Sequence, residues 1–319
     1  MGGYILRRLL ALVPVLLIVS IIIFMMAWMT PGDPAQLILG ADADPEDLAR
    51  LRADMGLDRP LPLQYLAWVG NLLQGDLGES IFLGKSVARA IFDNFGPTVQ
   101  LSFMALCIAL LISIPLGTLA AKKRNSPLDH AVMMISLIGM AVPSFVLGLV
   151  LIVVIAVELQ WLPVAGYVSP AESLLGSLRY MILPAVSLGT IIAALLIRTT
   201  RAAVLDVMAS DYIDAARARG VTEGRLLFVH TLRNAGLPIL TMIGLTFGAL
   251  ITGSVVTETI FNIPGIGSLI VNAIARRDYP VLQGVVLFIT LLYLLVNLGV
   301  DLMYGLIDPR IRLGAKNEG

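Results

Sequence analysis

Charge, cysteine and histidine are scarce in this 319-residue chain, and each shortage removes a class of function. Only 14% of the residues are charged and the formal net charge is zero, against roughly 25% charged in an average soluble domain. No bulk basic surface exists to hold nucleic acid or acidic lipid. The one cysteine, Cys107, lies in an apolar run and can form neither an internal disulfide nor a thiolate metal cluster. The two histidines, His130 and His230, have no nearby motif carboxylate or second histidine. There is no H-E-x-x-H and no G-x-S-x-G, so zinc hydrolysis and nucleophile-elbow chemistry have no residues to work with. No catalytic group and no metal ligand set is expected.

What is abundant is hydrocarbon. Hydrophobic residues make up 58% of the chain and the mean hydropathy is +0.90, with the apolar residues in long blocks. A bilayer core about 30 Å thick takes about 20 apolar residues in a helix. Six segments qualify or nearly do: Leu9 to Met29, Pro97 to Ala121, Ala131 to Val157, the shorter Met181 to Ile197, Gly236 to Thr257 and Val281 to Val300. The expectation is an all-α membrane protein of six transmembrane helices. Arg7 and Arg8 before the first run resemble a signal-peptide start, but the run is too long and no small-x-small cleavage site follows Trp28. It is expected to stay as a membrane helix. Pro115, Pro143, Pro184 and Pro238 fall inside or at the ends of these helices, which membrane proteins tolerate when neighbouring groups satisfy the freed backbone.

Lysine and arginine set the orientation. With the N-terminus inside, the short inner segments hold Arg7, Arg8, Lys122, Lys123, Arg124, Arg198, Arg201, Arg217, Arg219, Arg225, Arg233, Arg310, Arg312 and Lys316. The longer outer loops hold fewer. Both termini are therefore expected in the cytoplasm. Residues 1–96 read as a first membrane helix plus an outer region, and 97–319 as a five-helix core with a cytoplasmic loop at 198–235. In the outer region Asp44-Pro45-Glu46-Asp47 reads as a capped helix start, ending near Gly56.

Energy coupling is conspicuous by its absence. Gly84-Lys85-Ser86 ends like a phosphate-binding loop, yet that motif needs a glycine where Glu79 stands, and Gly78 is one residue too far. No ATP or other cofactor is expected on this chain. Ion-coupled carriers place ionisable groups near the midplane. Here Asp301 is the one carboxylate well inside an expected helix, and headgroup contact with Arg310 or Arg312 explains it equally well. If the protein moves a solute, the energy enters through a partner. An ATP-independent channel, an ion-coupled secondary transporter and a membrane scaffold are the alternatives.

Ser210 to Pro238 is the segment that suggests which partner. Asp211 can cap a short helix through Arg219, Gly220 can stop it, and Asp214 stands three residues before Arg217. Ala215, Ala216 and Ala218 add helix propensity with little bulk, and Thr222 can cap a second helix through Leu226, Leu227 and His230. A small-sided helix between two membrane spans suits a groove on another protein. Gly244 and Gly248, on the fifth helix, form a G-x-x-x-G that permits close helix approach.

Asp214-Ala215-Ala216, three residues, then Gly220 resembles the E-A-A-x-x-x-G loop of permease subunits of ATP-binding-cassette (ABC) importers, with aspartate in place of glutamate. The Leu-Pro of that motif comes late, at Leu237-Pro238 after His230-x-Leu232-Arg233-Asn234-Ala235, which is similar to the dipeptide/oligopeptide branch. Further matches run in order along the chain: Tyr4 to Arg8, Thr30 to Pro34, Gly56 to Pro60, Gly75 to Gly78, Pro97-Thr98 and Val142 to Phe145. They continue with Thr257-Glu258-Thr259-Ile260-Phe261, Pro264-Gly265-Ile266-Gly267, Asp278-Tyr279-Pro280 and Asp308-Pro309-Arg310. The resemblance implies the type I ABC importer permease fold in a bacterial inner membrane and the B-type subunit of such an importer. Its partners would be a homologous second permease, two cytoplasmic ATPase subunits carrying Mg-ATP, an outer solute-binding protein and the lipid bilayer, with no nucleic acid. It also implies that Asp211, Asp214, Ala215, Ala216, Arg219 and Gly220 form the ATPase-coupling element. The outer loops, through Glu258, Phe261, Pro264, Gly265 and Asp278, would meet the binding protein or form an outer gate. Dipeptides, oligopeptides, glutathione, nickel complexes and haem are all substrates of such permeases.

Overall fold

In this computed structural model the described residues are 2–29, 34–40 and 43–307, and among them the backbone is helical with no β-ladder beyond one isolated bridge. Thr30 to Asp33, Asp308 to Arg310 and the Arg312 and Lys316 positions lie outside the described residues, as do the side chains of Arg7, Arg8 and Asp301.

The helices are α1 (Gly2–Met29), α2 (Pro34–Leu39), α3 (Pro45–Asp54), α4 (Leu61–Leu73), α5 (Val87–Lys122), α6 (Pro127–Ala141), α7 (Ser144–Leu151), α8 (Leu174–Met208), α9 (Asp211–Ala218), α10 (Glu223–Arg225), α11 (Leu232–Gly253), α12 (Val255–Ile260), α13 (Ile266–Arg276) and α14 (Tyr279–Ile307). A π-helical stretch Ile152–Glu158 prolongs α7, and another, Leu226–Thr231, joins α10 to α11. Among the described residues four helical runs are long and apolar enough to cross a membrane: Val87–Lys122, Leu174–Met208, Glu223–Gly253 and Tyr279–Val300. A fifth crossing is available if α6 and the α7 run, bent by 95°, count as one span. In α1 the apolar stretch is Leu10–Met26.

Two expectations about these spans need correction. Ala131 to Val157 is not one kinked helix. Pro143 supplies no N–H, and its ring bars the preceding residue from helical geometry, so Val142 is extended (φ −84°, ψ 118°) and the chain turns there. Met181 to Ile197 is not a short segment either. It is the middle of the 35-residue α8, which at 1.5 Å per residue is about 50 Å long and overruns a hydrocarbon core of roughly 30 Å. Arg198 and Arg201, expected in a loop, therefore lie inside this helix. By contrast Asp44 caps α3 as expected, accepting from the Glu46 N–H at 3.0 Å, and Gly56 closes it with φ +69°.

The described chain divides into two compact units. One holds Ile5–Asn94 and Leu269–Leu291. There α4 leans on α1: Phe24 stacks edge-on with Tyr65 at 5.4 Å, and the Tyr65 hydroxyl bonds Ser20 at 2.8 Å. Residues 78–87 form a small hairpin, with Glu79 bridged to Ser86 and Lys85 paired to Asp93 at 2.7 Å. Gly84-Lys85-Ser86 is the return of that hairpin rather than a phosphate loop.

The other unit, Phe95–Ser268 with Leu292 onward, is the bundle. Apolar side chains cover its surface as well as its core. Phe103, Leu111, Met134 and Ile135 point outward, whereas Ser102, Ser113, Ser136, Ser187 and Thr200 are buried between helices. Where the surroundings are as apolar as the side chains, helices associate through close packing of small residues instead of through burial of large ones. Ala105, Ala109, Ala185, Ala193 and Ala194 accordingly sit at the centre. The closest approach is at Gly189 of α8, where an added Cβ would lie 2.6 Å from the Ala105 carbonyl oxygen of α5. Gly189→Val is therefore expected to force the two helices apart. It should cost about 1–3 kcal/mol from overpacking, and the melting temperature of the detergent-purified protein should fall by several degrees. The G-x-x-x-G also packs a helix. A Cβ on Gly244 would meet Val300 at 2.1 Å, and one on Gly248 would meet Tyr293 at 3.2 Å.

Candidate functional site

Helix α9 stands between α8 and the α10–α11 run. Ser210 precedes it in extended geometry (φ −85°, ψ 143°) and turns its hydroxyl back to the Val207 carbonyl at 2.7 Å. Ser210, not Asp211, thus occupies the cap position. Asp211 and Asp214 lie in the first turn, where negative charge meets the unpaired N–H groups. The far end closes as a Schellman motif. The Gly220 N–H donates to the Arg217 carbonyl at 2.9 Å, and the Val221 N–H to that of Ala216 at 3.3 Å. Gly220 has φ +81°, a left-handed conformation that costs a side-chain-bearing residue roughly 1–2 kcal/mol. Glycine is needed there for its backbone alone, since nothing lies within 4 Å of the place a Cβ would take.

One face of α9 anchors it. Ile213 and Ala216 are buried with Leu226 against Val207 and Val221, which ties the helix to the last turn of α8 and to the start of the next run. The other face is free: Asp211, Asp214, Ala215, Arg219 and Gly220 are exposed. Of the six residues expected in a docking element, only Ala216 faces inward. Arg217 bridges two carboxylates, to Asp214 at 2.8 Å and to Glu223 at 2.8 Å. The Glu223 hydrogen bond, followed by the nearby charges, raises the Arg217 pKa above its ordinary value. The Asp214–Arg217 spacing was legible in the sequence; the Glu223 arm and a hydrogen bond between the Tyr212 hydroxyl and His230 Nδ1 were not. Thr222 occupies the cap position of α10 without a side-chain bond. The element presents an exposed face with Asp211 and Asp214 in its first turn and Arg217 and Arg219 towards its end.

The second expected set, in the loop after α11, is organised differently. Glu258, on α12, is fully buried and its carboxylate is satisfied on both oxygens. Oε1 accepts from the Thr98 hydroxyl at 2.7 Å and the Ser254 hydroxyl at 2.7 Å; Oε2 accepts from the Ser268 N–H at 3.0 Å. Thr98 Oγ1 in turn accepts from the Ile266 N–H at 2.8 Å. A buried carboxylate without such donors would be costly enough to prevent folding into this shape. Gly265 is required by the same geometry, because a Cβ there would lie 2.3 Å from Glu258 Oε2. Phe261 is buried in the main apolar cluster with Leu101, Met181, Leu183 and Leu250, and its carbonyl accepts from the Gly166 N–H at 2.8 Å. Pro264 is exposed. Asp278 belongs to the other unit, where it is buried and receives the Ser80 hydroxyl at 2.5 Å. Within the bundle unit the structure therefore brings Glu258, Phe261 and Gly265 together. Of the side chains expected to meet an outer partner, Pro264 is the one at the surface. The rest hold their loops in shape.

Among the described residues no group of three or more histidine, cysteine, aspartate or glutamate side chains could hold a metal ion.

Comparison with known proteins agrees along almost the whole chain. Residues 113–313 match the family described as binding-protein-dependent transport system inner membrane component, and residues 1–102 match the N-terminal region of such membrane components. The probable peptide ABC transporter permease protein y4tP of Sinorhizobium fredii is 43% identical, over 98% of this chain and 100% of its own length. The glutathione transport system permease protein GsiC of Escherichia coli K12 is 42% identical, over 98% of this chain and 99% of its own. Among solved structures, an inward-facing MetNI methionine ABC transporter superposes with a TM-score of 0.59, covering 69% of this chain and 96% of that one at 18% identity. That likeness concerns the fold.

Proposed function

This chain belongs to the binding-protein-dependent transport system inner membrane component family, as an ABC importer permease of the peptide type, and from that premise we propose that it forms half of an ATP-driven uptake path for small peptides such as glutathione. The observation that carries the proposal is α9. It is a short helix with a buried anchoring face, a closed Schellman end and an exposed acidic first turn at Asp211 and Asp214.

In this reading α1, α5, the α6–α7 pair, α8, α10–α11 and α14 make six crossings of a bacterial inner membrane, with both termini in the cytoplasm. Residues 1–96 supply the first crossing and an outer region; 97–319 supply the five-helix core. A homologous second permease completes the path, two cytoplasmic ATPase subunits bind and hydrolyse Mg-ATP, and an outer binding protein delivers the solute. ATP-driven closure of the ATPases displaces α9, and α8 and α11 carry the displacement across the membrane to give alternating access. Glutathione and short peptides are favoured over nickel complexes or haem because the 42–43% identical relatives are named for peptide and glutathione transport.

The test is reconstitution of the chain with a second permease, ATPase subunits and a binding protein of the same importer family. Proteoliposomes should accumulate radiolabelled glutathione or dialanine only with ATP and the binding protein present. Accumulation without ATP would favour a channel or ion-coupled carrier and overturn the proposal.

A further inference from the structure

Asp129 lies in the first turn of α6 and is 1% exposed. Arg201 of α8 grips it with a two-pronged fork, Nε to Oδ1 at 2.6 Å and Nη2 to Oδ2 at 2.7 Å. The same carboxylate accepts the Asn125 N–H at 2.9 Å, and Ser126 caps the Asp129 N–H at 3.3 Å. The turn between α5 and α6, the start of α6 and the lower part of α8 are thus joined at one carboxylate, although Asp129 and Arg201 are 72 residues apart in sequence.

The position of this clasp relative to α9 gives it a role beyond stability. Arg201 is seven residues before the end of α8 at Met208, or about 10 Å along the axis. The α9 helix follows after two residues and is seated on Val207 of the same helix through Ile213 and Ala216. Around the clasp the contacts are apolar: Ala120, Val132 and Ile197 with Leu116, Leu128 and Met133. Such contacts are non-directional, whereas a bidentate guanidinium–carboxylate pair has a single geometry. Nor does the pair explain itself as a source of stability, because a buried ion pair often contributes no more than an apolar replacement.

We propose that Asp129 and Arg201 are positioning residues for energy coupling: they fix the axial register of α6 on α8, so that displacement of α9 moves α6 and its bent continuation instead of dissipating as slip between helices. This rests on the importer reading above. The other cytoplasmic turn, Lys122 to Ser126, then moves with α9 as one body through Asn125 and Asp129.

The experiment uses the full reconstituted complex with radiolabelled glutathione and dialanine as probes, comparing wild type with Arg201→Lys, Arg201→Met and Asp129→Asn. The expected result is assembled complexes that still hydrolyse ATP but transport about tenfold fewer molecules per ATP in Arg201→Met and Asp129→Asn, the size of a typical coupling free energy. Arg201→Lys, which keeps the charge and loses the fork, should fall between. In parallel, spin labels on the exposed Met134 and Ala202 positions, in a Cys107→Ser background, report the register directly. Their distance should stay single on ATP–vanadate trapping in the wild type and shift or split in Arg201→Met. An unchanged transport-to-hydrolysis ratio, or an unchanged distance in the variant, overturns the proposal. So does a loss of assembled complex with a normal ratio in what remains, since that is what a merely structural pair would do. If Arg201→Met does not assemble, Arg201→Lys carries both measurements. Absence of ATP-driven uptake in the wild-type complex counts against the importer reading; a change confined to the variants bears on this pair alone.

Discussion

Glu258→Ala is expected to destabilise the protein by about 3–5 kcal/mol, because several buried donors lose their acceptor at about 1–3 kcal/mol each. The lost side chain leaves the Thr98 and Ser254 hydroxyls and the Ser268 N–H without their acceptor in a site closed to water. The effect should be local in structure and general in function, since the loop from Phe261 to Ser268 is held to α5 through Thr98, by the Glu258 and Ile266 bonds, and by Phe261 itself. Glu258→Gln gives an informative contrast. The amide oxygen of glutamine would take the Ser268 N–H, which cannot reverse. The NH2 group would face the Thr98 and Ser254 hydroxyls, which can turn to accept but then leave a proton of their own without an acceptor. Its cost should be about 1–3 kcal/mol, that of one unsatisfied buried donor. Melting of the purified complex should therefore rank wild type above Gln above Ala. Equal melting temperatures for all three would mean that the carboxylate is not the keystone of the loop. Gly265→Ala, which drives a methyl into the same carboxylate, should resemble Glu258→Ala.

The second large effect is expected at α9, and it separates folding from docking. Asp214→Arg removes one arm of the Arg217 bridge and leaves the Glu223 arm at 2.8 Å. Both groups are exposed, so the chain should insert and fold as the wild type does, because exposed ion pairs contribute little to stability. What changes is the acidic first turn, which then carries a cation three residues from Asp211. Pull-down of the ATPase subunits should be lost, and ATP-dependent uptake with it. Gly220→Val acts by another route. With no neighbour to clash with, its penalty is the roughly 1–2 kcal/mol of left-handed backbone, somewhat more for a β-branched side chain. Opening the Schellman end should loosen α9 against Val221. Uptake should fall steeply while ATPase binding is partly kept. Wild-type uptake in both variants would mean that the coupling element lies elsewhere.

These expectations divide along a physical line between what local sequence and what folding determines. Apolar run lengths place the membrane helices, because a backbone in hydrocarbon must satisfy its own hydrogen bonds within the segment. Helix α9 was legible for a similar reason. Its ends depend on residues within one turn of each other, Ser210 and Asp211 at one end and Gly220 at the other, and its ion pair is three residues apart. Asp44 at the head of α3 is another local case. The misreadings are also instructive. Pro143 could have been seen as a break from the restriction it places on Val142. The length of α8 was hidden because Arg198, Arg201 and Asp206 look like loop residues to hydropathy, yet a helix leaving the membrane keeps its own hydrogen bonds whatever its side chains.

The remaining decisions belonged to the tertiary structure. Glu258 and Asp278 both look like exposed loop carboxylates in sequence. One is buried against Thr98, 160 residues away, and the other against Ser80, 198 residues away. Asp129 and Arg201 appear as one more acid and one more base near the positive-inside loops. Electrostatic partnership depends on distance in space, and no local spacing rule reports which hydroxyl, N–H or guanidinium will surround a carboxylate once helices pack. The low share of charge and the long apolar blocks already marked a membrane protein in the sequence. Folding alone decided that Asp129, Glu258 and Asp278 would be internal joints, while Asp211 and Asp214 stayed at the surface.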